Sequence, residues 1–439
     1  MFCVVVGLSL LSFAFANDAG APSTDPTPPR NRIATVLASS QKICQLTGET
    51  DRQFHQPTLN KTVTGAGLVG TDLGYSFEHK GKLFFLFGDT RPSETFNGQP
   101  NGKTDPPRSA DNDDAIGFTS DTSIEQCLRL DFIRNALGAF ANPVVLNAHR
   151  QPAITLATNE MPIAGISHDG RMYVIFGTDN PIRGARPPEP LGFSTRTVMA
   201  VSDDDANSFY YLYDFSKGPD AKFINTAIAR GANGFLYFWG TQGGALYRHS
   251  APYFARKQAK DIGGSDGMEY FAGYTASGEP RFSASEADAT PLFSDYADGS
   301  SEPHNCMGEL GVEWNPYIRR WVMLYNCTNR REATLPGIYM RLAEHAWGPW
   351  SAPQTIFNPA RDAGYCSFIH RAVTALNPSC DDLSPPSFLA EWGGYYAPYF
   401  ISRFTTGDEA SGKSTFYYTM STWIPYTQVI MRTTIQISP

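Results

Sequence analysis

Asp72 and Asp89 stand at the two ends of a short aromatic stretch that turns back on itself at residues 79–81. Counting outward from that turn sets Asp72 almost opposite Asp89 on an antiparallel hairpin. Directly paired strand residues have Cβ atoms about 4.5–5.5 Å apart. Two carboxyls so close cannot both ionise freely, so one should hold its proton to higher pH. A proton donor beside an anion is what cleavage of a glycosidic bond requires. The spacing favours a retaining pair, at about 5–5.5 Å. If Glu309 partners Asp72 instead, the inverting range of about 6.5–9.5 Å fits better. The competing reading of Asp89 is structural: it caps the turn at Thr90-Arg91 or pairs with Arg91.

Other residues bear on the same chemistry. Asp114 ends the run Asp111-Asn112-Asp113-Asp114 and adjoins the strand that follows, whereas Asp111 and Asp113 read as a solvated turn. Glu309 is a further acid, with an ion pair to a nearby Arg as its structural alternative. Asn225 could hydrogen-bond a sugar hydroxyl, and His304 could bind substrate or a channel ion. His168 reads as a turn residue. Trp239, Trp423, Tyr395, Tyr396 and Tyr399 offer rings for a sugar, although packing is the commoner role of any one aromatic. No GxSxG elbow and no phosphate-cradling Gly loop is present. No cofactor is expected. The acidic run lacks the Gly and Glu of a calcium loop, so calcium in the channel has no motif behind it.

The elements that must position these residues form a repeat. A strand, a tight Gly or Asn turn, an aromatic strand and a third strand recur five times, beginning near Gly70, Met161, Ile224, Gly308 and Tyr395. The third strands are read at 115–121, 198–204, 245–251, 338–344 and 429–435. Five such units with short aromatic strands imply an all-β, five-bladed β-propeller. Asp72-Leu73-Gly74 aligns with Glu309-Leu310-Gly311, which argues against a β-sandwich of accidental similarity. In a propeller the first strand of each blade lines the channel, and the strand starts meet at one mouth. Nine residues before the turn glycines Gly81, Gly170 and Gly234 lie Asp72, Met161 and Asn225, and the fourth repeat offers Glu309.

Composition agrees. The chain has 439 residues, 39 Gly and 32 Pro, too many for a helical bundle, and 13% aromatic residues, enough for a large core. Its net charge is −8, without a Lys/Arg-rich run, so a nucleic-acid partner is not expected. Residues 1–16 read as a secretory signal ending in Ala14-Phe15-Ala16, 17–40 as a Pro/Thr/Ser-rich tether, and 41–439 as the propeller. No later segment is long and apolar enough to suggest a membrane span. Beyond the signal's Cys3, six cysteines remain, an even number for an oxidising compartment. Cys306 and Cys327 flank a hairpin and face each other, Cys366 and Cys380 close a loop, and Cys44 with Cys127 follows by elimination. Asn60-Lys61-Thr62 and Asn326-Cys327-Thr328 match the N-glycosylation pattern, which matters in a eukaryotic host.

The first motif, Gly70-Thr71-Asp72-Leu73-Gly74 with Gly81-Lys82-Leu83-Phe84-Phe85-Leu86-Phe87-Gly88-Asp89-Thr90, resembles the secreted bacterial and fungal propellers catalogued as domain of unknown function 4185. Gly308-Glu309, Asn315-Pro316-Tyr317, Trp321-Val322-Met323-Leu324-Tyr325 and Thr419-Met420-Ser421-Thr422-Trp423 look like that family's later motifs. The similarity runs from about Lys42 to the C-terminus. Some members are endo-acting D-arabinanases that cut the arabinofuranose polymer of mycobacterial cell walls. The resemblance therefore implies a five-bladed propeller with furanosidase activity and an acidic first-blade motif at Asp72 and Asp89. The fifth repeat is looser and carries a long turn at 407–414, which bears on the shape of the cleft. The expectation is a secreted glycoside hydrolase acting on a furanose polysaccharide. The alternative is an exported propeller that binds glycans or proteins without cleaving them.

Overall fold

The computed structural model describes residues 34–100, 113–143, 145–146, 161–178, 195–218, 220–294, 305–327 and 337–437. Five sheets make a five-bladed β-propeller. Their first strands are Leu68–His79, Met161–His168, Asn225–Arg230, Met307–Asn315 and Tyr395–Phe400. Each packs beside the next, and the last returns to the first, so the five close a ring. These strands are buried along most of their length because they face neighbours on both sides. The crowding is tight enough to demand small residues. A Cβ on Gly311 would lie 2.5 Å from the Pro398 carbonyl oxygen of the adjoining blade.

Second and third strands follow outward. In the first blade they are Lys82–Pro92 and Asp113–Thr119, and in the fourth Arg320–Cys327 and Gly337–Ala343. Aromatic side chains from facing sheets fill the space between blades. Trp239 and Tyr237 of blade three meet Trp321 of blade four at ring-centroid distances of 5.1 and 5.6 Å. Such pairs are worth about 0.5–1.5 kcal/mol each beyond the area they bury. Trp239, with no exposed surface and its indole N–H on the Ala346 carbonyl, is therefore a packing residue rather than a sugar platform.

The ring is closed by the two ends of the described chain. Ala34–Gln45 forms the outermost strand of blade five, pairing antiparallel with Gln428–Ile437. The expected tether thus ends too late: residues 34–40 belong to the propeller, because their backbone groups find partners in the last strand. Cys44 of that strand is bonded to Cys127, which follows the third strand of blade one, so a disulfide spans the closure. The other two bridges are Cys306–Cys327 and Cys366–Cys380, as read from the sequence.

One third strand is corrected. Residues 245–251 form a short 3-10 turn and a loop, and the third strand of blade three is Tyr253–Gln258. Both sequon asparagines are tied into the folded chain. The Asn60 amide donates to the Leu46 and Leu128 carbonyls and accepts from Leu130 N–H, and Asn326 is fully buried. His304, the predicted signal segment 1–16, Asp111 and Thr328 lie outside the described residues.

Candidate active site

The five strand starts converge as the turn spacing required. Asp72 pairs with Gly88, Met161 with Gly177, Asn225 with Thr241, and Tyr396 with Ser421; Glu309 sits in the equivalent stretch of blade four. Side-chain contacts tie several of these positions, Met161 aside, to the neighbouring blade. The Tyr396 hydroxyl donates to Asp72 Oδ2 at 2.8 Å. Asn225 Nδ2 reaches Thr241 Oγ1, whose hydroxyl donates to the Gly308 carbonyl.

Asp72 owes its position to a bulge. Leu73 and Gly74 take left-handed backbone angles, φ 61° and 85°, and the pairing register shifts on either side of them. Glycine relieves half of that strain, and Thr419 Oγ1 of blade five secures it by donating to the Gly74 carbonyl at 3.0 Å. The carboxyl is buried. Burial above all, and then the charge of Asp89, push it well above the ordinary aspartate range, against the lowering effect of the Tyr396 hydrogen bond. Among the described residues, Asp72 Oδ1 has no hydrogen-bond partner.

Asp89 departs from the expected register. The residue opposite Asp72 is Gly88, and Asp89 falls one place farther on, in a second bulge, with φ 42°. The argument for a retaining distance from direct pairing therefore loses its basis. The two carboxyls still share one mouth, because the Asp89 charge acts on Asp72. The Asp89 main chain is clamped on both sides. Its N–H donates to Asp114 Oδ1 at 3.1 Å, and its carbonyl accepts from the Tyr426 hydroxyl at 2.9 Å. Asp114 is itself buried, with its own N–H on the Asn142 side chain. One of its oxygens thus holds the Asp89 main chain in place.

Glu309 is fully buried and ion-paired, the structural alternative weighed for it. Its Oε1 accepts from Arg248 Nη2 at 2.9 Å and from the Tyr247 hydroxyl, while Oε2 has no partner among the described residues. Burial pushes this carboxyl up; Arg248 and Tyr247 outweigh it and hold Glu309 below the usual range. Burial would also lower Arg248, but Glu309 and the two tyrosines keep it firmly protonated. Its guanidinium lies over the rings of Tyr396 and Tyr247, at 4.6 and 5.0 Å. Gly308 makes the approach feasible, since a Cβ there would come within 2.8 Å of Arg248 Cγ.

Two neighbouring carboxyls are thus driven in opposite directions, Asp72 toward the neutral acid and Glu309 toward the anion. Leu73, Asp89, Arg248, Ala397 and Tyr426, site residues or their direct neighbours, have positive φ of 61°, 42°, 62°, 54° and 56°.

Sequence reasoning missed Tyr247, Arg248 and Tyr426. The first two lay in a stretch read as a strand; the one available signal was that a buried acid needs a cation. Beyond Asp89, Arg91 lies over the rings of Tyr426 and Trp423, at 4.4 and 5.7 Å, and Trp423 donates its indole N–H to Glu391. Trp423 is partly exposed there, as a stacking residue must be. Tyr395 and Tyr399 are core residues, packed against Phe357 and Tyr75. His168 ends its strand at the hairpin tip, facing Asp169. Among the described residues, the one cluster with metal-ligand spacing is Cys366, Cys380 and Asp381, whose two sulfurs are consumed by a disulfide.

A family profile described as "Domain of unknown function (DUF4185)" matches residues 58–432. No curated protein matches the chain. Solved structures similar to it include a provisionally assigned hydrolase of Bacteroides ovatus, with 13% identity, a TM-score of 0.48, and 85% of this chain and 87% of that one covered. An exo-β-1,3-galactanase of Phanerochaete chrysosporium has 10% identity and a TM-score of 0.44, covering 90% and 64%. A family GH43_1 enzyme of Xanthomonas citri has 11% identity and a TM-score of 0.40, covering 84% and 90%. Likeness at this level says nothing about chemistry.

Proposed function

The chain belongs to the DUF4185 family, and from that premise we propose that it is an exported glycoside hydrolase acting on a furanose-containing polysaccharide, D-arabinan first among them. The observation that carries the reading is the pair of opposed carboxyl environments at one channel mouth: Asp72 pushed toward its neutral form beside Asp89 and Glu309, with Glu309 held as an anion. In this reading Asp72 is the proton donor. Its Oδ2 already accepts from Tyr396, so the acidic proton resides on Oδ1 and passes to the glycosidic oxygen as the C–O bond breaks. Asp89 is the second carboxylate, facing the anomeric carbon or the water that attacks it. The Glu309–Arg248 pair fixes the local field and, through Arg248, the ring of Tyr396. Asn225 and Trp423 serve the sugar, one through its amide and the other through its face. The three disulfides support export. No helix among the described residues is long and apolar enough to cross a membrane.

The test is a panel of arabinan, arabinogalactan and other polysaccharides, assayed for new reducing ends, with anomeric configuration followed by NMR. Asp72→Asn and Asp89→Asn should each abolish cleavage of D-arabinan and leave the unfolding midpoint nearly unchanged. Full activity in either variant removes that residue from its role. Binding without cleavage by the wild-type chain would favour the non-catalytic propeller.

A further inference from the structure

The other end of the channel has its own chemistry. There the hairpin-turn ends of the inner strands surround a cavity of about 600 Å³. Phe77, Ile166, Ile228, Val312 and Phe400 give it apolar walls. Tyr75 contributes to the wall as well; its hydroxyl bonds both the N–H and the carbonyl of Ile228. The volume lies within the range of about 300–1,000 Å³ usual for small-molecule sites.

Ser167 lines this cavity and is partly buried. Its Oγ lies 2.8 Å from Nδ1 of His79, and Nε2 of the same ring lies 2.9 Å from Asp205 Oδ1. The three residues come from separate segments: the end of the first strand of blade one, the first strand of blade two, and the turn after that blade's third strand. His79 is buried. Asp205 sits in a strained turn, with φ 58° there and 75° at Ala206, and the Ser202 hydroxyl accepts the Ala206 N–H to secure it. Lys80 bonds the same Asp205 oxygen at 2.6 Å; Lys80 first, and then His79, hold this carboxyl below the usual range.

The direction of the relay follows from these contacts. A carboxylate only accepts, so in the neutral ring the proton sits on Nε2, toward Asp205. Nδ1 is then a lone pair, and the Ser167 hydroxyl must donate to it. A hydroxyl held against a base, whose other nitrogen is oriented by a carboxylate, is the arrangement of an activated serine nucleophile. Arg230, which also lines the cavity, donates to the Ser167 backbone carbonyl at 2.5 Å and keeps a positive charge on the segment that carries this serine.

We propose that Ser167, His79 and Asp205 form a second reactive centre, which hydrolyses small carboxylic esters whose acyl group enters the apolar cavity. Ser167 Oγ bonds to the acyl carbon while its proton passes to His79 Nδ1. The alcohol leaves with that proton as the ester C–O bond breaks. Water then repeats the sequence on the acyl-serine, releasing the acid and restoring the hydroxyl. This activity is separate from polysaccharide cleavage and stands or falls without it.

The experiment treats the folded full chain with phenylmethylsulfonyl fluoride, maps any adduct by peptide mass, and measures p-nitrophenyl butyrate hydrolysis. We expect one adduct, on the peptide containing Ser167, and none in Ser167→Ala. Ester hydrolysis above background should fall at least about 100-fold in Ser167→Ala and in Asp205→Asn, in line with loss of general-base catalysis. These two sites are partly or largely exposed, so the test does not depend on replacing the buried histidine. An unlabelled Ser167, or hydrolysis equally fast in Ser167→Ala, overturns the proposal and leaves the relay as a clamp between blades one and two.

Discussion

Replacing Arg248 by Met tests the electrostatic core of the site. The change keeps most of the side-chain bulk but removes the guanidinium that holds Glu309 Oε1. The pair is well shielded, with side-chain exposures of 21% for Arg248 and 0% for Glu309. Removing one partner of such a pair costs about 3–5 kcal/mol, because the other charge is left buried. The pH dependence gives a sharper signature. In the wild type, Glu309 lies below its unfolded value, so it adds stability above the unfolded pKa and loses it as pH falls through the folded one. Without Arg248, burial becomes the dominant influence and pushes the carboxyl above its unfolded value. Its contribution is then complete at low pH and lost as pH rises. The destabilisation relative to wild type should therefore be larger at pH 8 than at pH 5 in guanidinium unfolding. Arg248→Met combined with Glu309→Gln removes both charges of the pair and should recover most of the loss. A single variant as stable as wild type, or a double variant no better than the single, would refute the reasoning.

Other expectations follow from the same geometry. Cys44→Ala with Cys127→Ala opens a bridge of sequence separation 83 across the ring closure and should cost about 4–5 kcal/mol by loop entropy, read from the urea midpoint; an unchanged midpoint rejects the staple role. Glu313 is buried on the cavity side and pushed up to about 7 by that burial. Its folded pKa exceeds the unfolded one, so stability falls between about pH 4.5 and 7, by roughly 3 kcal/mol. Glu313→Gln should flatten that part of the stability–pH curve, and an unaltered slope would contradict it. Gly308→Ala sets a Cβ 2.8 Å from Arg248 Cγ and Asn326 Nδ2; it should cost at least about 1 kcal/mol and lower any arabinan cleavage, measured as reducing ends.

Much of the arrangement was readable because a propeller repeats. The turn glycines Gly81, Gly170 and Gly234 give a common origin, and counting back from them identified Asp72, Met161 and Asn225 as equivalent before any coordinates. The Cys306–Cys327 bridge was legible because both cysteines flank one hairpin, although Cys327 stands opposite Met307 after a register shift and Cys306 lies one place beyond. Counting fails where a strand is irregular. The bulge at Leu73-Gly74 and the shift around Asp89 slide the register by one, so Gly88 faces Asp72. Alternation carries no warning of a bulge, because the extra residue is accommodated by backbone angles and by contacts from blade five.

The chain's own order of residues determined the all-β class, the five units, the disulfide partners and which acids reach the rim, since these depend on periodicity and short-range turns. Tertiary structure alone decided how those acids behave. Arg248 comes to Glu309 from the loop of another blade, Tyr396 reaches Asp72 from the far end of the chain, and Ser167, His79 and Asp205 meet across a blade boundary. Burial and charge act through distances in space, and only closure of the ring makes those distances short.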